Sequence, residues 1–147
     1  MEWTKKPTQG GVMPWYYECT NGDVSLELTL PYEYDPWGMR MYKGSTTIVK
    51  EYFRLRGKDR NGEWESEDDL LKAQEKAWQI AHDKMADTAA YYENLVQMLD
   101  VMKPVEQYAG TKQKEDRRYT AEGLIKQGRS YRQLQDSLKG MRKGDMT

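Results

Sequence analysis

The chain has 147 residues, of which 37% are hydrophobic, 12% aromatic and 32% charged, with a formal net charge of -1; that length allows one domain, or a small domain with an appendage, around a modest core. The mean hydropathy is -1.02, and no window approaches the roughly 20 apolar residues of a membrane span, so no membrane segment is expected; eleven Tyr and five Trp against one Phe argue against wholesale disorder. A single cysteine, Cys19, excludes an internal disulfide, and a single histidine, His82, leaves no His/Cys zinc set.

In chain order, residues 1–14 are polar, contain Gly10-Gly11 and read as a flexible N-terminal arm in which Trp3 either seeks a partner or folds back on a sheet. Lys5 and Lys6 are followed by no apolar run, so no signal peptide is expected. Residues 15–65 read as an antiparallel sheet of about four strands. Trp15 to Thr20 and Asp23 to Leu30 flank Asn21-Gly22, the pair that favours a two-residue hairpin turn. With Asn21-Gly22 as the turn, Cys19 faces Val24, Tyr17 faces Leu26 and Trp15 faces Leu28. Cys19 is then a core thiol, while Tyr16, Glu18, Ser25, Glu27 and Thr29 occupy the other face.

Pro31 to Gly38, reading PYEYDPWG, is rich in prolines, tyrosines and acids and reads as a loop with an adhesive surface. Tyr32, Tyr34 and Trp37 are the candidate partner-binding residues, the other reading being that they cover an open end of the sheet. Met39 to Lys43 follows as a third strand. Gly44-Ser45 leads into a fourth, Thr46 to Arg56, in which Thr47, Val49, Phe53 and Leu55 share the inner face with Glu51 as an exception. Lys58 to Gly62 is a turn, and Glu63 to Glu65 a candidate short return strand.

The succession of strand, tight polar turn, short strand and helix over about residues 46 to 85 loosely resembles the arm-binding module of phage-type integrases, whose sheet enters the DNA major groove. That resemblance implies a DNA-facing role for Arg54, Arg56, Lys58 and Arg60, with Glu63, Glu65, Glu67, Asp68 and Asp69 beside them opposing it.

Residues 66–103 read as one long amphipathic helix, with Leu71, Trp78, Met85, Tyr92 and Leu99 at one heptad position and Gln74, Ala81, Thr88, Leu95 and Met102 three further on. Ser66 is the candidate N-cap, and Pro104 ends the helix. At roughly 57 Å such a helix exceeds what strands of five to ten residues can cover. Its C-terminal half therefore calls for a second cover, and Tyr92, Leu95, Leu99 and Met102 are the expected oligomer interface.

Residues 104–147 read as a polar linker and a basic helical tail. Residues 63–103 carry four Lys/Arg against ten Asp/Glu, and residues 111–147 carry ten against five, so helix and tail can pair within or between chains. The run from Leu124 to Leu134, LIKQGRSYRQL, is similar to the opening of helix-turn-helix domains, in which a helix ends at Gly and Ser caps the next. Only seven residues follow Gly140, too few for a recognition helix, so the resemblance implies a short helical corner near Gly128.

No phosphate loop, nucleophile elbow, HExxH or calcium loop can be read. The expectation is an α+β protein: an N-terminal antiparallel sheet, one long amphipathic helix and short C-terminal helices. It is expected to be a non-catalytic, homo-oligomeric protein-binding module, of the inhibitor or adaptor kind that phages and mobile elements encode. Catalytic residues, metal ligands and cofactors are expected to be none, the partner is a protein of unknown identity, and the setting is cytoplasmic. The alternative is a nucleic-acid-binding protein using Arg54, Arg56, Lys58, Arg60, Arg117, Arg118, Arg129 and Arg132. A metal-dependent enzyme built on scattered carboxylates comes third.

Overall fold

The computed structural model describes residues 2–10, 15–31, 36–55, 67–102 and 120–141. The elements are β1 (Thr4–Pro7), β2 (Trp15–Asn21), β3 (Val24–Thr29), β4 (Trp37–Lys43), β5 (Thr46–Phe53), α1 (Glu67–Met102) and α2 (Ala121–Lys139). The five strands form one antiparallel meander in the order β1-β2-β3-β4-β5. The arrangement is α+β, as the sequence predicts, with one more strand.

The extra strand is β1, which lies within the stretch read as an arm and pairs Thr4 with Glu18 and Lys6 with Tyr16. All four of its residues are exposed, so no hydrophobic alternation announces it. Lys5, Lys6 and Pro7 suit an edge, where charge and a missing N–H discourage further pairing.

The β2–β3 hairpin forms, but its register differs from the expectation. Asn21 pairs with Val24, Cys19 with Leu26 and Tyr17 with Leu28, so the loop residues are Gly22 and Asp23. Gly22 takes φ +65°, a left-handed conformation that glycine adopts without a Cβ clash. Asn21 stays in the strand because its side-chain amide donates to the carbonyl oxygen of Ser137 at 2.8 Å. The slip is two residues, which preserves the faces, and Cys19 remains fully buried as a core thiol. Burial raises its pKa from 9.0, against a smaller lowering by the N-terminal charge.

Cys19, Leu26, Met41 and Val49 lie in register across four strands and are 0 to 4% exposed, forming the apolar row of the sheet. Between Met41 and Tyr42 the β4–β5 register shifts: Met41 pairs with Val49, but Tyr42 pairs with Thr47. This irregularity moves Thr47 off the apolar face predicted for it and beside Arg40, whose guanidinium donates to its hydroxyl at 3.4 Å. Leu55, predicted on the same face, lies beyond the end of β5.

The long helix spans 36 residues, close to the predicted bounds. Ser66 and Pro104, its predicted end signals, fall outside the described residues, as do the return strand at 63–65 and the linker. The buried stripe is not the heptad seam alone. Ala73, Ala77, Ala81, Met85 and Ala89 recur every four residues and are at most 2% exposed, whereas Leu71 is 37% exposed. A ridge of small residues at a spacing of four lets other elements approach the helix axis closely.

The chain divides into two compact units: Met1–His82 with Asp136–Thr147, and Asp83–Gln135. In the first, the Trp78 indole N–H donates to the carbonyl oxygen of Leu138 and the Trp78 ring stacks on His82 at 4.6 Å. These contacts and the Asn21 bond fix the end of α2 within that unit.

α2 runs unbroken through the predicted corner. Its N-cap is Thr120, whose hydroxyl accepts from the Gly123 N–H at 3.1 Å. Ser130 does not cap a new helix; its hydroxyl donates back to the Lys126 carbonyl at 3.1 Å. Gly128 lies inside the helix, where a Cβ would meet Tyr92 Cβ at 3.6 Å and the Ala89 carbonyl oxygen at 3.8 Å, ordinary contact distances.

Candidate functional site

The second unit pairs α1 from Asp83 onward with most of α2. Gly128 of α2 faces Ala89 and Tyr92 of α1, and beside it the Tyr92 ring stacks on Tyr131, with centroids 5.7 Å apart and planes 11° from parallel. Tyr91 meets Tyr92 edge to face at 5.4 Å. Desolvation, followed by the neighbouring Tyr131 and Tyr91, raises the pKa of Tyr92 above 10.0, so its phenol stays neutral. Next to the stacked pair runs a groove of about 500 Å³ with Tyr92, Val96, Leu124 and Ile125 among its apolar lining. Glu93 and Arg132 form an ion pair at its rim, and Arg129 lines it too.

This unit presents apolar surface. Of the six exposed large hydrophobics among the described residues, four belong to it: Tyr91 at 58%, Met98 at 61%, Val101 at 80% and Ile125 at 41%. Tyr91 and Met98 are seven residues apart, and Val101 follows one turn later, so they form a stripe along one side of α1. The predicted interface residues Tyr92, Leu95 and Leu99 are half-buried, and Met102 closes α1. The heptad residues flank this exposed stripe, whose own members Tyr91, Met98 and Val101 stand outside the a and d positions.

The aromatic loop divides differently. Tyr32 and Tyr34 fall outside the described residues. Trp37 belongs to β4, is 1% exposed, and stacks on Phe53 at 6.4 Å with planes 6° apart. Its place is in the packing, a correction to its reading as a contact residue. Of the basic residues proposed for nucleic acid, Arg56, Lys58, Arg60, Arg117 and Arg118 fall outside the described residues, and Arg54 follows β5 and is exposed. Arg129 and Arg132 share the groove, and Arg132 is countered by Glu93.

The polar sheet face holds a network that sequence reading left unassembled. Lys6 bonds Glu18 at 3.0 Å, the Tyr42 hydroxyl donates to Glu18, and Thr20 and Ser25 hydroxyls meet at 3.0 Å. Arg40 donates to Glu27 at 2.9 Å while its guanidinium lies 4.4 Å from the Tyr42 ring centre. Glu18 and Ser25 are only 8% and 7% exposed, so the centre of this face is a packed polar layer.

Among the described residues, no group of three or more His, Cys, Asp or Glu is placed to hold a metal ion, and no helix is long and apolar enough to cross a membrane. Compared with family models, curated proteins and solved structures, the chain matches none.

Proposed function

We propose that this chain is a non-catalytic, homo-oligomeric protein-binding module that self-associates through the helical unit. The observation behind the reading is the exposed stripe of Tyr91, Met98 and Val101 along one side of α1, with Ile125 exposed in the same unit, because exposed apolar surface concentrated in this way marks association sites. The occupant is a second copy of the chain. With Glu93 and Arg132 paired to each other, residues 83–102 still carry Asp83, Asp87 and Asp100 against Lys84, and residues 121–135 carry Lys126 and Arg129 against Glu122. A symmetric pair can therefore set the basic helix of each copy against the acidic helix of the other. An inhibitor or adaptor role for a protein partner, in a cytoplasmic setting that suits the lone buried thiol, is the biological form of the same reading.

Sedimentation equilibrium tests it. The expected mass is a multiple of 17.3 kDa at micromolar concentration, and a monomer overturns the reading. Leu95→Asp with Leu99→Asp is expected to give monomers. Met98→Asp with Val101→Asp alters exposed side chains only, so an unchanged oligomer in that folded variant also overturns it.

A further inference from the structure

The polar sheet face ends in a cavity of about 350 Å³ lined by Pro7, Thr8, Gln9, Tyr16, Glu27 and Thr29. That volume lies at the small end of the range for small-molecule sites. The strand register carries the line further, because Thr29 stands opposite Gly38, and Gly38 opposite Tyr52. A Cβ on Gly38 would lie 3.5 Å from both Thr29 Cβ and Tyr52 Cε1, so the Tyr52 ring rests beside backbone that carries no side chain of its own. The ring itself is 62% exposed. The backbones of Tyr16 on β2 and Tyr52 on β5 are three strand spacings apart, roughly 14 Å, with Thr29 and Gly38 on the strands between them.

We infer that this strip binds a short neutral oligosaccharide. Its lining offers two aromatic rings for the C–H faces of sugar rings, the Thr29 hydroxyl, the Gln9 amide and the Glu27 carboxylate. Arg40 occupies Oε2 of Glu27, leaving Oε1 to accept from ligand hydroxyls. The charges favour a neutral ligand: Lys6 is engaged by Glu18 and Arg40 by Glu27, the Glu27 carboxylate lines the cavity, and Lys50 opposite Arg40 is a single further cation where a strand of several phosphates would need more. A single-stranded nucleic acid would use similar aromatic platforms but needs cations left for phosphate. The three strand spacings between Tyr16 and Tyr52 suit a short chain of sugars better than a single ring.

Calorimetric and ligand-observed NMR titrations with maltotriose, cellotriose and triacetylchitotriose test the inference on the full chain. At least one is expected to bind with a Kd of about 1 mM or tighter, and Tyr52→Ala to weaken it at least about tenfold. Tyr52 is exposed, so its variant is expected to keep the native unfolding midpoint and decides the matter even if Tyr16→Ala fails to fold. Tyr91→Ala, in the other unit, is expected to leave sugar affinity unchanged, just as Tyr52→Ala leaves the sedimentation mass unchanged. The inference is overturned if none of the three sugars binds by about 10 mM, if binding survives Tyr52→Ala intact, or if oligothymidine binds the strip in place of sugar.

Discussion

The two units solve the same problem of covering apolar surface in opposite ways. In the sheet unit the apolar row from Cys19 to Val49 is buried, the opposite face is tied up by Lys6, Glu18, Tyr42, Arg40 and Glu27, and only Tyr52 and Leu71 remain as exposed large hydrophobics among the described residues. In the helical unit the Tyr92–Tyr131 stack and the Glu93–Arg132 ion pair join the two helices, while Tyr91, Met98, Val101 and Ile125 face outward. The difference is why the proposed self-association is assigned to the helical unit, whose exposed hydrophobics outnumber those of the sheet unit among the described residues.

The largest effect that sharpens this contrast belongs to the sheet unit. Trp78→Ala removes a side chain that is 5% exposed together with its bond to the Leu138 carbonyl. A loss of about 3–5 kcal/mol is expected in urea unfolding. Tyr91→Ser, at an exposed position of the helical unit, should stay within about 0.5 kcal/mol in monomeric protein. Comparable losses from the two variants would break the comparison.

Glycine gives the next contrast, because the same substitution is expected to act with opposite sign in the two units. A Cβ on Gly140 would lie 2.9 Å from the Asn21 amide nitrogen, which would have to give up its bond to Ser137. Gly140→Ala should therefore cost about 1 kcal/mol. At Gly128 the nearest atoms stand at 3.6 and 3.8 Å, ordinary contact distances, and the residue lies inside a helix. Gly128→Ala should gain about 0.5–1 kcal/mol from helix propensity. Urea midpoints that move in the same direction would show that the helix contact at Gly128 is tighter than described.

What could be read in advance follows from where the physical signal lies. The periodicity of Trp78, Met85 and Tyr92 located α1 because a buried helical face repeats locally. The Gly22 turn located the hairpin for the same reason, and the faces of β2 and β3 survived a two-residue slip because side chains alternate. Features decided by distant residues were not legible. Asn21 at the end of β2 bonds Ser137, Gly128 continues a helix that packs beside Tyr92, and Thr47 changes face through the register shift between Met41 and Tyr42. Trp37 looked like a loop aromatic because the start of β4 is set by its pairing with Phe53. The heptad reached Tyr92, Leu95 and Leu99 but not the exposed Tyr91, Met98 and Val101 beside them, and the strip from Tyr16 to Tyr52 was out of reach, since it exists only once four strands are in register.

The smallest expected effect tests whether the sheet unit's polar layer contributes stability or merely fills space. Burial raises the Glu18 carboxyl, but bonds from Tyr42 and Lys6 and the charges of Lys6 and Arg40 outweigh it, leaving the pKa below 4.5. Burial, then the bond to Glu18, pushes the Tyr42 phenol from 10.0 up to about 12. The bond to Glu18 is the main cause holding the Lys6 ammonium above 10.5. The signs follow from which form the fold prefers. The depressed Glu18 contributes stability above pH 4.5 that is lost as pH falls through its folded value, and the raised Tyr42 contributes stability below pH 10.0 that is lost as pH rises towards about 12. Tyr42→Phe should therefore differ most from the native chain between those limits, with the gap closing in both directions by about 0.5 kcal/mol, a modest figure because solvent screens this half-buried layer. The check is the difference in urea midpoint near pH 3, 7 and 11, and a difference that stays constant would mean that the Tyr42 hydroxyl is held by packing rather than by the Glu18 charge.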